Sequence, residues 1–159
     1  MGYDVLLSDA DGTLFDFKAG EVNAIRAVFD LFGIANTPEN TALYHRVNDE
    51  QWKLLEQGRT TQQKLRVDRF RIFLEKLGHT ADPEQMGAAF VEQLGMQRIL
   101  LPDAEDFCRR VSERMPIYLI TNGISAVQRN RFTDCALTPC IAGLVISEEI
   151  GYAKPHPAM

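Results

Sequence analysis

No apolar run in the 159-residue sequence is long enough to span a membrane, and no basic segment followed by an apolar core stands near Met1. Neither a membrane partner nor a signal peptide is therefore expected. Positive charge is also in deficit, because the sequence has 17 Lys and Arg against 22 Asp and Glu, which gives a formal net charge of -5. Proteins that bind a nucleic acid polymer usually carry the opposite sign, so no such partner is predicted.

Cysteine is scarce, and the three that occur, Cys108, Cys135 and Cys140, lack the paired spacing of a zinc site. This usage predicts reduced thiols in a cytoplasmic protein. The remaining composition, 45% hydrophobic and 25% charged, is ordinary for a globular protein.

The most informative stretch reads Ser-Asp-Ala-Asp-Gly-Thr-Leu over residues 8–14. The apolar run Val5–Leu7 before it predicts a strand buried on both faces. Asp9 and Asp11 follow where parallel sheets bind ligands, and their spacing lets both face one crevice, where a hard cation suits paired carboxylates. Gly12 allows a close approach to an anion, and Thr13 offers a hydroxyl. An ordinary turn remains the alternative, because Asp and Gly are common turn residues.

Two later segments carry further polar groups. The apolar run Ile117–Ile120 leads into Thr121-Asn122-Gly123, whose polar groups and free backbone N–H groups at a helix start suit a phosphate. A plain strand-to-helix turn is the alternative. Lys154 lies in Gly-Tyr-Ala-Lys-Pro-His-Pro, and a solvated surface lysine is its alternative interpretation.

Between these segments the pattern is helical. We expect helices that begin after Thr37, after Thr60 or Thr61, and after Asp82, with stops at Gly33, Gly58 and Gly78. The basic residues Arg59, Lys64, Arg66, Arg69 and Arg71 predict a solvated helix face, with steering of anionic substrates as the alternative.

Strand and helix alternate again only near the end of the chain. We expect a helix from Pro102-Asp103 with Phe107, Cys108 and Val111 facing inward, then the strand Ile117–Ile120, a helix from about Ser125, and a strand over residues 144–146.

The three motifs together, D-x-D-G-T at Asp9–Thr13, the strand that ends at Thr121, and the lysine Lys154 in G-x-x-K-P-x-P, resemble the haloacid dehalogenase superfamily. The resemblance implies an α/β fold: a Rossmann-like core with a parallel sheet, residues 1–16 and 102–159, and an inserted all-helical cap, residues 17–101. In that family the cap closes over the site, excludes water and sets specificity.

The resemblance also implies a magnesium-dependent phosphatase that works through an aspartyl-phosphate. Asp9 is the expected nucleophile and Asp11 the expected acid and base, and both are expected to hold Mg²⁺, Asp11 through its backbone carbonyl. In the family the lysine reaches the phosphate and the nucleophilic aspartate. The expected substrate-binding residues are Thr13, Thr121, Asn122, Gly123 and Lys154.

The substrate is predicted from a narrower resemblance. Thr121-Asn122-Gly123 with Gln128 and Arg131, and Ser147–Gly151 beyond them, is similar to the pyrimidine-preferring 5′-nucleotidases. The expected partner is therefore a small phosphorylated metabolite, a nucleoside monophosphate, bound by a monomer or homodimer. Two alternatives stay open: a phosphatase for another ester, such as a sugar phosphate or phosphoglycolate, and a non-catalytic regulatory or binding module.

The family has a fourth motif, an acidic pair that completes its metal site. No acidic residue follows Lys154 before the sequence stops at Met159. We therefore expect an incomplete core and a longer source protein, with a truncated product as the alternative. A polypeptide of these residues alone is expected to bind Mg²⁺ poorly and to be nearly inactive.

Overall fold

The computed structural model describes residues 2–159 and contains three strands and seven α-helices over that range. In chain order these elements are β1 (Leu6–Ser8), α1 (Phe17–Leu31), α2 (Pro38–Glu56), α3 (Gln62–Leu77), α4 (Pro83–Gly95), α5 (Ala104–Ser112), β2 (Ile117–Thr121), α6 (Ser125–Thr133), a 3-10 turn (Thr138–Cys140), β3 (Ile141–Ile146) and α7 (Ser147–Ile150). Each helix within residues 2–159 is too short or too polar to cross a membrane.

The chain divides into two compact units. One comprises Met1–Glu21 with Gly95–Met159, and the other comprises Val22–Leu94. The predicted helical insertion, residues 17–101, is wider than the second unit at both ends. Part of this difference comes from backbone hydrogen bonds in the first unit, where Asp16 N–H donates to the Ile99 carbonyl over 2.9 Å. The assignment of the units as core and cap stays a prediction.

The first unit is built on a parallel sheet in the order β1-β2-β3. Leu6 lies opposite Ile117, and Thr121 lies opposite Ile146. Because all three strands run the same way, the residues that follow them meet at one edge of the sheet. This topology confirms the predicted α/β class and places the Asp9 and Thr121 segments side by side.

The core of the first unit forms where one face of the sheet meets α5 and α6. Its members are all buried: Ala10, Leu14, Phe15, Ala104, Cys108, Ile117, Leu119, Phe132 and Leu137. Ala10 therefore packs inward between the two aspartates. Burial, the larger cause, and the nearby Cys140 and Cys135 raise the pKa of Cys108 to about 11, so its thiol stays protonated at neutral pH.

Two burial predictions are wrong. Leu7 is 57% exposed, so β1 is not buried on both faces. Leu7 lies beside Tyr118, which is exposed too, on one face of the sheet. Only the opposite face packs against the core. Phe107 is also exposed, because the inward face of α5 follows Ala104 and Cys108 at the i, i+4 spacing and leaves Phe107 to the side.

In the second unit the predicted helix starts are confirmed at Thr37 and Thr61. Each hydroxyl accepts a hydrogen bond from a backbone N–H three residues on, that of Asn40 at 3.2 Å and that of Lys64 at 3.3 Å. Gly78 ends α3 in the left-handed conformation, with φ of 71°.

The core of the second unit is aromatic, and its buried rings are Phe29, Tyr44, Phe70, Phe73 and Phe90. Arg69 corrects the prediction of a solvated basic face, because it is buried and its guanidinium lies over the rings of Phe70 and Phe90. Its Nη1 also donates to Asn48 Oδ1 over 3.2 Å. A ring face and a polar acceptor offset part of the cost of burying this charge.

Candidate active site

Asp9 and Lys154 meet at the end of β1. Asp9 Oδ1 accepts a hydrogen bond from the Ala10 N–H at 2.8 Å and forms an ion pair with Lys154 Nζ at 2.8 Å. Lys154 Nζ also donates to the Ile120 carbonyl at the end of β2, again over 2.8 Å. Asp9 Oδ2 has no hydrogen-bond or ion-pair partner among residues 2–159. One oxygen is thus held in place while the other stays available for chemistry.

Asn122 holds the backbone of Lys154. Its Nδ2 donates to the Lys154 carbonyl over 3.1 Å, and its Oδ1 accepts from the Lys154 N–H over 2.7 Å. Both ends of the amide are therefore used to fix the loop that presents the lysine. The predicted contact between Asn122 and a phosphoryl group stays a prediction.

The other predicted phosphate ligands are placed differently from one another. Thr121 is buried, and its hydroxyl accepts from the Gly123 N–H over 3.0 Å. Glu148 accepts from the Ser125 N–H over 2.7 Å, so these two N–H groups at the start of α6 already have partners. Thr13 is exposed, and within residues 2–159 no hydrogen bond joins its side chain to the other predicted site residues.

Asp11 is held by α6 through both carboxylate oxygens. Gln128 Nε2 donates to Oδ2 over 2.6 Å, and Arg131 forms an ion pair with Oδ1. Both α6 side chains are fully buried, whereas the Asp11 side chain remains 23% exposed. The sequence indicated Gln128 and Arg131 only as features shared with a substrate class, and it did not predict their contact with Asp11. Their i, i+3 spacing on one helix face is the signal that could have indicated a shared target.

The loops after β2 and β3 are also joined. Arg129 on α6 pairs with Glu149 on α7 through two contacts of 2.6 Å, and Ser125 Oγ donates to the same carboxylate. The hydrogen bonds from Arg129, first, and from Ser125 hold the pKa of Glu149 below its ordinary value. This network links the start of α6 to the helix that precedes Lys154.

The residues fit a magnesium ion in part. Asp9 Oδ2 is a free hard oxygen, the kind of ligand that Mg²⁺ takes. The Asp11 carboxylate is engaged on both oxygens, which leaves its backbone carbonyl as the donor that fits better. Residues 2–159 hold no group of three or more His, Cys, Asp or Glu side chains that could surround a metal ion.

A family model for haloacid dehalogenase-like hydrolases matches residues 3–159. The protein named HAD-hydrolase YfnB of Bacillus subtilis is 33% identical over 156 residues, which cover 96% of this chain and 65% of the relative. The proteins named pyrimidine 5′-nucleotidase YjjG of Escherichia coli and PynA of Streptococcus pneumoniae are each 31% identical over 156 residues. These matches cover 98% of this chain and 68% and 66% of the two relatives, so the chain spans about two thirds of their length.

A crystal structure of Bacillus subtilis YfnB, described as bound to magnesium, superposes with a TM-score of 0.90 at 30% identity. The superposition covers 98% of this chain and 68% of that one. Sequence and fold thus agree over nearly the whole chain, and the resemblance drawn from the three motifs is confirmed. The chain belongs to the haloacid dehalogenase-like hydrolase family.

Proposed function

We propose that this chain carries the catalytic centre of a magnesium-dependent phosphatase that works through an aspartyl-phosphate at Asp9 and hydrolyses nucleoside 5′-monophosphates. The observation that carries the proposal is the 2.8 Å contact between the Asp9 carboxylate and the Lys154 ammonium beyond the end of β1. A fixed cation beside a carboxylate with one free oxygen suits attack on an anionic phosphoryl group, because it offsets the charge that gathers there.

In the first step an oxygen of Asp9 attacks phosphorus, and the bond between phosphorus and the ester oxygen breaks. Protonated Asp11 gives its proton to the leaving alkoxide. In the second step water attacks the aspartyl-phosphate, and the Asp11 carboxylate takes a proton from that water. The bond between phosphorus and Asp9 then breaks, and inorganic phosphate leaves with the nucleophile regenerated.

Magnesium would be held by the Asp9 carboxylate and the Asp11 carbonyl, and when bound it neutralises charge on the phosphate. The binding of magnesium described for YfnB supports this choice of ion. The proposed phosphate ligands are Thr13, Thr121, Asn122, Gly123 and Lys154. The Asn122 side chain also fixes the loop of Lys154.

The nucleotide substrate rests on two relatives named as pyrimidine 5′-nucleotidases at 31% identity. Uridine, cytidine and thymidine 5′-monophosphates are therefore the first substrates to try. A preference for a sugar phosphate would agree with the proposed phosphatase activity but contradict the proposed nucleotide substrate.

The test is phosphate release by the full-length protein from nucleoside monophosphates and sugar phosphates, with magnesium and with a chelator. We expect magnesium-dependent release that Asp9→Asn lowers by about 1,000-fold or more, because the variant lacks the nucleophile. Asp4→Asn is the matched control, since this exposed aspartate precedes β1 and should leave the rate unchanged.

Equal activity in Asp9→Asn and the unaltered protein would contradict the proposed nucleophile. Absence of release from every ester would favour a non-catalytic module that retains the fold.

A further inference from the structure

The proposed reaction does not explain why two side chains of α6 bind the Asp11 carboxylate. Gln128 and Arg131 are each only 1% exposed, and each points a donor at a different oxygen of the same carboxylate. They lie 117 and 120 residues from Asp11 in the chain. A long-range contact of this kind fixes the tip of the loop that follows β1.

Both donors are themselves packed against neighbouring groups. The Arg131 guanidinium lies 4.8 Å from the centre of the Phe15 ring, and that ring packs edge-on against Phe132. The Gln128 amide lies against Gly123 so closely that an added Cβ on the glycine would be 2.3 Å from Nε2. Packing on these sides favours the observed orientation of each side chain, and the pair therefore holds Asp11 in one orientation.

A carboxylate has about four lone-pair sites, and two donors leave the others open. The Asp11 side chain is 23% exposed, so its unheld side reaches solvent. An acid or base works efficiently only when it is kept within about 0.5 Å of the productive position. A buried amide and a buried guanidinium that hold the carboxylate from behind meet that need.

We propose that Gln128 and Arg131 are positioning residues that aim Asp11 at the oxygen of the leaving group. This inference rests on the proposed phosphatase activity and deepens it. Neither residue touches the phosphate; each acts through Asp11. Removal of either donor frees the carboxylate to rotate and slows the steps in which Asp11 moves a proton.

The experiment compares two leaving groups in the first turnover of the full-length protein. With uridine 5′-monophosphate the leaving group is the alkoxide of uridine, which needs a proton from an acid. With p-nitrophenyl phosphate the leaving group is p-nitrophenolate, which needs none. We expect Gln128→Met and Arg131→Met to slow uridine release by about 10-fold to 100-fold and p-nitrophenolate release by less than about 3-fold, with KM little changed. Arg131→Lys should recover part of the loss, because it restores a charged donor.

Asp11→Asn supplies the reference, and Arg131→Met in that background should add less than about 3-fold, because a positioning residue has nothing left to position. Arg109→Met is the matched control for loss of an arginine, since Arg109 pairs with Asp106 inside α5. Circular dichroism checks that each variant folds. Gln128→Met carries the test if the buried arginine cannot be replaced.

Equal losses with both leaving groups, or a full further loss on top of Asp11→Asn, would overturn the positioning role and leave the phosphatase standing. An unaltered protein that releases neither leaving group overturns the proposed function and this inference with it.

Discussion

Gly123 has no side chain at the point where the Gln128 amide crosses the loop after β2. A methyl group there would lie 2.3 Å from Gln128 Nε2, well inside contact distance. The Gln128 tip must then shift, and it is the same tip that donates to Asp11 over 2.6 Å. We expect Gly123→Ala to lower the free energy of unfolding by about 1–3 kcal/mol, as overpacking does, and to give the leaving-group effect of Gln128→Met.

Thermal unfolding and first-turnover kinetics measure the two effects. Gln128→Ala is the companion change, because it removes the atoms that the new methyl group meets. In that background Gly123→Ala should cost almost no further stability. A full additional cost in the double variant would contradict the clash as the cause.

The candidate site could be predicted only in part at this scale. Asp9 and Lys154 stand in recognisable motifs, and the structure brings them into contact. The use of Asn122 on the Lys154 backbone could not be predicted, because both partners lie in loops whose path depends on β2 and β3 being neighbours. The Gln128 contact to Asp11 has the same origin, in chain segments 117 residues apart.

At the scale of the elements, the ion pair between Arg129 and Glu149 connects α6 to α7. Glu149 has a lowered pKa in the folded chain, so its ionised form is favoured by folding. The stability that it contributes is complete above the carboxyl's ordinary pKa of 4.5 and is lost as the pH falls below that value. We therefore expect Glu149→Gln to destabilise the protein at pH 7 and to have a shrinking effect toward pH 3.

Denaturant unfolding at several pH values measures this difference, which should also shrink in high salt because the pair is exposed. Arg129→Met in the Glu149→Gln background is the control and should add little. A difference that stays constant from pH 7 to pH 3 would contradict the assignment to this carboxyl.

Elements were predictable where the signal is local. Thr37 and Gly78 act through hydrogen bonds and backbone angles within a few residues, so the second unit's helix ends follow from the sequence. The short α7 and the 3-10 turn were missed, because three or four residues carry no periodicity. The exposure of Leu7 was missed for a different reason, since it depends on what packs on each face of the sheet.

For the whole molecule, the division into two compact units means that each has its own core. Patterns of apolar residues predicted a helical segment there, and α1 to α4 confirm that it is helical. Its role as an inserted cap stays a prediction. The sequence did not predict that Arg69 would lie inside the aromatic core, because a basic residue among other basic residues is normally solvated.

The second unit should therefore fold without the first. A fragment of residues 17–95 keeps α1 to α4 whole and retains the stacked pair Phe29–Phe73, whose ring centres are 5.3 Å apart. We expect this fragment to be helical by circular dichroism and to melt cooperatively. Phe73→Ala should lower the free energy of unfolding by about 3–5 kcal/mol, because the ring is fully buried. A typical domain is stable by only about 5–15 kcal/mol, so this loss should leave the fragment marginally stable or unfolded. Leu31→Ala is the control, because Leu31 is exposed on α1, and it should change the melting temperature little. A fragment without a cooperative transition would contradict the prediction and would mean that these helices depend on the first unit for their core.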